Sequence, residues 1–216
     1  MAKSLFGEGR LWLMASVVAA VAHFVFRQAQ LDHAIGIPLK GAGMALLSAY
    51  AFSRNSRHIA LVMALGALGD MVIMLNLQWG AAAFLVGHLV AIVLYLRHRR
   101  ETLSFSQKAA AIALALLTPL IAISLPADPA QKLGVGIYSL ALGCMAASAW
   151  TSTFPRYRVG LGAVLFVASD LLIFARMGPM ANSPQPTLLI WPLYFAGQYM
   201  ICTGVVGALR SRPFQS

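Results

Sequence analysis

The chain has 216 residues, of which 60% are hydrophobic and 10% charged, and it carries a net charge of +10. A soluble domain carries about a quarter charged residues, so this composition excludes an ordinary water-soluble core and indicates a polytopic membrane protein. The basic excess falls in short clusters between apolar runs, a placement that serves membrane orientation; anionic lipid headgroups are its expected partner, and no nucleic acid is expected.

The segment Met1–Arg10 followed by an apolar stretch has the look of a signal peptide, and Ala20-Val21-Ala22 resembles a cleavage site. The pattern simply continues into further spans, so the first run is expected to be a membrane helix. Eight apolar runs follow one another, at 11–26, 36–52, 58–77, 80–97, 107–125, 132–150, 157–176 and 188–209. Each is near the ~20 residues that cross a bilayer as helix. No linker is long enough to house a soluble domain. The expected fold is all-α: a polytopic bundle of eight transmembrane helices forming one transmembrane domain over 1–216.

Eight spans place the N-terminus, the 2–3, 4–5 and 6–7 linkers and the C-terminus on one side. That side holds Lys3, Arg10, Arg54, Arg57, Arg97, Arg99, Arg100, Lys108, Arg156, Arg158, Arg210 and Arg212; the other holds Arg27, Lys132 and Arg176. Twelve against three puts both termini in the cytoplasm. Lys40, the remaining basic residue, lies inside the second run. The Ala, Gly and Arg usage hints at a bacterial inner membrane.

Glycines recur along the helices, among them Gly41, Gly69, Gly143, Gly162 and Gly197, and small side chains let helices approach closely in lipid. Pro119 and Pro192 are candidate kink sites. Cys144 and Cys202 both sit in apolar runs and read as packing residues; no disulfide framework or metal-ligand spacing is present. Trp12, Trp79, Trp150 and Trp191 lie near run ends and are expected in the interfacial belt.

Two of only six acidic residues fall inside apolar runs: Asp70 in the third and Asp170 in the seventh. A carboxylate at mid-membrane costs roughly 3 kcal/mol on insertion scales, so each marks a functional site or a helix lock. Both sit at about 18–20 Å along their spans at 1.5 Å per residue, which predicts a shared depth slightly beyond the midplane. The strings around them, Leu68-Gly69-Asp70-Met71-Val72 and Ala168-Ser169-Asp170-Leu171-Leu172, hint at a four-plus-four repeat. Lys40, His88, Tyr138, Tyr194 and Gln198 fall in the outer halves of their helices, and His23 near the outer end of the first. Helices keep polar groups off lipid, so one inward polar cavity is expected. Blander readings stand beside this one: Lys40 snorkelling, His88 packed in the core, His23 structural, the tyrosines in the aromatic belt.

Two carboxylates at close quarters do not both stay ionised cheaply, so one is expected to hold a proton beside a carboxylate base. That apparatus suits hydrolysis of an acid-labile bond, or a proton relay in a transporter; helix locking in a lipid-binding protein is the third reading.

The strings Leu65-Gly66-Ala67-Leu68-Gly69-Asp70, Phe84-Leu85-Val86-Gly87-His88, Phe166-Val167-Ala168-Ser169-Asp170 and Tyr194-Phe195-Ala196-Gly197-Gln198 resemble, in order and spacing, the YhhN-like family of integral-membrane lysoplasmalogenases. Pro38-Leu39-Lys40 resembles its helix-2 lysine segment, except that the family usually continues with proline where this chain has Gly41. The resemblance implies a hydrolase that cleaves the vinyl ether of a lysoplasmalogen, a single-chain lysophospholipid, to a fatty aldehyde and a glycerophospho-base, with no metal or organic cofactor. On that reading Asp70, Asp170 and His88 are the candidate catalytic residues. Lys40, Tyr138, Ser169, Tyr194 and Gln198 are the candidate substrate-binding set. Oligomeric state is unreadable from the sequence.

Overall fold

The computed structural model describes residues 2–27, 29 and 31–211, with side chains from residue 9 onward; Arg212 and the Lys3 side chain, both used above for orientation, lie outside the described set. Eight α-helices follow in order: α1 Ala2–Phe26, α2 His33–Ser53, α3 Arg57–Val72, α4 Leu77–Arg97, α5 Phe105–Ser124, α6 Pro129–Thr151, α7 Leu161–Arg176 and α8 Gln185–Ser211. A π-helical turn, Arg156–Gly160, leads directly into α7. Among the described residues seven helical segments are long and apolar enough to cross a membrane, the π-turn counting with α7. The protein is a multi-pass helical membrane protein.

The exception is α3, with 16 residues. At 1.5 Å per residue it measures about 24 Å, short of the ~30 Å hydrocarbon core. The apolar run at 58–77 therefore corresponds to a shorter helix than expected. Asn76 explains the difference. Its side chain accepts a 3.0 Å hydrogen bond from the Trp79 amide, so it caps the start of α4 and closes the turn after Val72. The consequence for Asp70 is direct: it lies in the last turn of α3, close to the helix end.

Apart from Asp70 and Asp170, three of the other four acids have described side chains, Glu8 being the exception. Asp32 caps α2 by accepting from the Ala34 amide at 2.8 Å, and Asp128 caps α6 by accepting from the Ala130 amide at 2.9 Å. Glu101 is an exposed linker residue. Among the described side chains only Asp70 and Asp170 are acids buried within helices.

The chain divides into two compact units, residues 1–90 with 206–216, and residues 91–205. In the first, α2 packs against both α1 and α3. Gly9 of α1 lies against the Arg54 guanidinium, so the start of α1 and the α2–α3 linker share a side. In the second unit α6 packs against α5 and α7. Its α4–α5 and α6–α7 linkers are tied together: Thr153 N donates to His98 O at 2.6 Å, Arg100 N to Thr151 O at 3.1 Å, and Arg100 Nε to Ser152 O at 2.7 Å. The α5–α6 and α7–α8 linkers meet likewise through Ala127 N and Met177 O at 3.0 Å. This is the alternation of linkers that antiparallel helices with short connections require.

Candidate active site

In the first unit the sequence supplies an acid, a lysine and two histidines, and helix packing gathers most of them. Asp70 is 4% exposed and His88, on α4, is 3% exposed. Lys40 is half-buried on α2, within Coulombic reach of the Asp70 carboxylate, and His23 on α1 is within reach of Lys40. Close helix contact makes this possible. A methyl at Gly41 would stand 2.6 Å from Met71 Cγ and 3.0 Å from the Ala67 carbonyl oxygen. Glycine therefore lets α2 lie directly on α3 beside the Lys40–Asp70 pair. On the other flank Gly69 leaves room for the Phe84 ring, which a methyl would meet at 2.7 Å. Asp70 also lies in the last turn of α3, the negative end of its dipole, a placement that disfavours an anion by about 0.3–1 kcal/mol at exposed sites. The Lys40 cation offsets this.

In the second unit Tyr138 on α6 donates its hydroxyl proton to Asp170 Oδ2 at 2.7 Å. The Tyr138 ring stands edge-on to Phe174 at 5.9 Å, one turn beyond Asp170 on α7, so hydrogen bond and ring contact fix the side chain together. Asp170 is 4% exposed.

Three contacts set how α7 lies against α8. Gly162 and Gly197 abut so closely that a methyl on either would stand 2.6 Å from the other's carbonyl oxygen. Phe166 meets Tyr194 edge-on at 5.2 Å, and Ser169 Oγ donates to the Ile190 carbonyl at 2.9 Å. This antiparallel register puts Gln198 level with the start of α7. It is about two turns, or about 12 Å along the axis, from Asp170. Gln198 was expected in the outer half of its helix; α8 begins at Gln185 rather than 188, and Gln198 falls near its middle. The Ser169 hydroxyl is committed to α8 and holds the helix that carries Asp170.

Gln198 is buried, and its Oε1 has no hydrogen-bond partner. Trp191, expected in the interfacial belt, is instead 8% exposed, with its ring 5.6 Å from Tyr194 and 6.3 Å from Phe195. Its neighbours on α8 are aromatic at the spacings that bring side chains together, so the residue packs inward. Trp79, by contrast, is widely exposed, as a belt residue would be.

The family model for YhhN matches residues 35–205. The chain belongs to the YhhN family. The matched stretch contains all eight candidate residues from Lys40 to Gln198, and omits α1 with His23. No curated protein and no solved structure matches the chain.

Sequence reasoning passed over Tyr95. It is 1% exposed, with a hydroxyl that has no partner. An aromatic two residues before Arg97 stands where an interfacial residue would. No pattern in the sequence distinguishes that from a buried hydroxyl.

Proposed function

We propose that this YhhN-family protein is a membrane-embedded hydrolase that cleaves the vinyl ether bond of lysoplasmalogens, releasing a fatty aldehyde and a glycerophospho-base. The observation that carries the reading is Asp170, a carboxyl group buried within a membrane helix and positioned by a tyrosine hydroxyl at 2.7 Å. Such a group is costly in hydrocarbon and is retained where it acts. Family membership and the multi-pass helical fold support the same reading.

The chemistry suits the residues. A vinyl ether hydrolyses by protonation of its β-carbon, which gives an oxocarbenium ion. Water adds to that ion, and the hemiacetal collapses to aldehyde and alcohol. The slow step requires a positioned general acid, and a nearby carboxylate stabilises the cation and takes a proton from water, as paired carboxylates do in glycoside hydrolysis. We assign the acid role to Asp170, whose partner is a neutral hydroxyl. The carboxylate role falls to Asp70, because the Lys40 cation favours an anion there. His88 tunes the carboxylate or orients water, Tyr194 helps place the glycerol oxygen, and Lys40 is the candidate for the lipid phosphate. The single hydrocarbon chain is assigned to apolar side chains such as Phe166 and Phe174, on either side of Asp170 on α7. Both termini are assigned to the cytoplasm from the charge asymmetry of the linkers, and the protein to a bacterial inner membrane from its Ala, Gly and Arg usage.

The test is mass spectrometry of products from purified protein with a panel of single-chain ether lipids, run beside Asp70→Asn, Asp170→Asn and the double variant. Aldehyde release is expected from the vinyl ether only. Each single substitution is expected to lower kcat by about 10²–10⁴-fold, and the double by little more than the worse single, because both acids serve one step. Normal turnover in either single variant ends the assignment. Flux of unchanged lipid or ions across sealed vesicles would favour a transporter.

A further inference from the structure

Away from the acids, the α6–α7 connection carries two buried donors with nothing to accept from them: Trp150 Nε1, in the last turn of α6, and Arg156 Nε, in the π-helical turn before α7. The two side chains meet. The Arg156 guanidinium carbon stands over the Trp150 indole, 5.8 Å from the ring centre. Gly160 makes room for the pair: a methyl there would stand 2.8 Å from Trp150 Cε3 and 3.3 Å from Arg156 Cγ. The connection is also pinned from α4. Arg100 Nε donates to the Ser152 carbonyl at 2.7 Å and its Nη2 to the Phe154 carbonyl at 3.2 Å, which fixes a second cation beside the same stretch.

Both open atoms are donors, so whatever binds there must accept. Buried donors left unpaired are costly, and in native proteins they mark a bound water or ligand. Charge separates the two. Among the described residues the Arg156 guanidinium makes no ion pair, and the only acid in the α4–α5 and α6–α7 linkers is the exposed Glu101. Water would satisfy the donors and leave the cation uncompensated. Stacking on an indole uses the face of a guanidinium and leaves the N–H groups in its plane, the geometry that matches phosphate oxygens. Trp150 and Arg156 are both half-buried at the end of a membrane helix, and exposed Tyr157 and Arg158 follow. That is the level of lipid phosphates.

We propose that Trp150 and Arg156 bind a phosphate group at the membrane interface, and that an anionic phospholipid headgroup supplies it. The site is separate from the acid assigned to catalysis: Arg156 precedes Asp170 by fourteen residues, roughly 20 Å along a helix. It does not rest on the hydrolase reading.

The experiment follows the melting temperature of the detergent-purified full chain through titrations of phosphatidylglycerol, phosphatidylcholine and inorganic phosphate. The wild type is expected to melt higher by about 5 °C with phosphatidylglycerol in large excess, and to gain less from phosphatidylcholine. Arg156→Gln and Trp150→Phe are expected to move the phosphatidylglycerol midpoint about tenfold higher in concentration. Lys108→Gln removes one exposed charge near the start of α5, on the same side, and is expected to leave the midpoint unchanged. A Lys108→Gln loss as large as that of Arg156→Gln would mean that the lipid senses net charge and not a site, which overturns the proposal. Equal gains from both lipids, or an unmoved midpoint in Arg156→Gln, overturn it as well. Stabilisation by inorganic phosphate alone, lost in Arg156→Gln, supports the phosphate site and overturns the lipid source. Should Trp150→Phe fail to fold, Arg156→Gln decides.

Discussion

Tyr138 is the residue on which the state of Asp170 depends. Its hydroxyl proton goes to one carboxyl oxygen, and its ring is braced by Phe174, so the acid is held in one orientation. Removing the hydroxyl while keeping the ring separates positioning from packing. Tyr138→Phe is expected to lower kcat about tenfold, the equivalent of one hydrogen bond between neutral groups, with little change in melting temperature. A purely structural tyrosine would show the reverse: a lower melting temperature and unchanged turnover. Tyr138, like the two aspartates, was legible as a candidate because polar groups inside apolar runs are few. Its bond to Asp170 was not, since that requires α6 and α7 to present particular faces to each other. Ser169 shows the same limit. The resemblance gave it as a candidate for substrate binding, and the bond its hydroxyl donates to the Ile190 carbonyl on α8 was not legible.

At the scale of helices, contact in lipid depends on shape, because apolar burial gives little drive between helices. The α7–α8 crossing rests on Gly162 and Gly197, each 2.6 Å from a methyl placed on the other in terms of its carbonyl oxygen. Gly197→Ala is expected to push the helices apart, cost about 1–3 kcal/mol in stability, and lower turnover by moving Tyr194 relative to Phe166. The measurements are melting temperature and kcat for that variant; wild-type values for both would show that the crossing tolerates a methyl. The glycines were visible in the sequence. Which ones meet was not, because many glycines share the apolar runs and only the register pairs them. Gly41 illustrates the point: where the family usually has proline, this chain lays α2 on α3 beside Lys40 and Asp70. The short α3 was in principle readable, since Asn76 is a good N-cap residue. Hydropathy alone ran past it.

At the scale of the whole molecule, the linker bonds in the second unit place the α4–α5 and α6–α7 linkers on one side and the α5–α6 and α7–α8 linkers on the other. Charge then assigns the sides to compartments. In a background lacking Cys144 and Cys202, Thr102→Cys is expected to resist a membrane-impermeant thiol reagent in intact cells, and Asn182→Cys to react. Both positions are exposed, so access depends on compartment alone. The opposite labelling pattern would invert the topology and move both termini to the outer side.

The sequence by itself determined the membrane class, the helices, the alternation of their linkers and the two acids out of place. These follow from hydropathy, charge and residue counts, which are properties of composition along the chain. The tertiary structure alone decided that Asp170 is held by Tyr138 and that Asp70 ends a short helix under the influence of Lys40. It also decided that Gln198 lies about two turns along α7 from the level of Asp170. Helical periodicity says which residues can share a face. It does not say how far one helix slides along the next, and in this bundle glycine contacts and interhelical hydrogen bonds fix that slide.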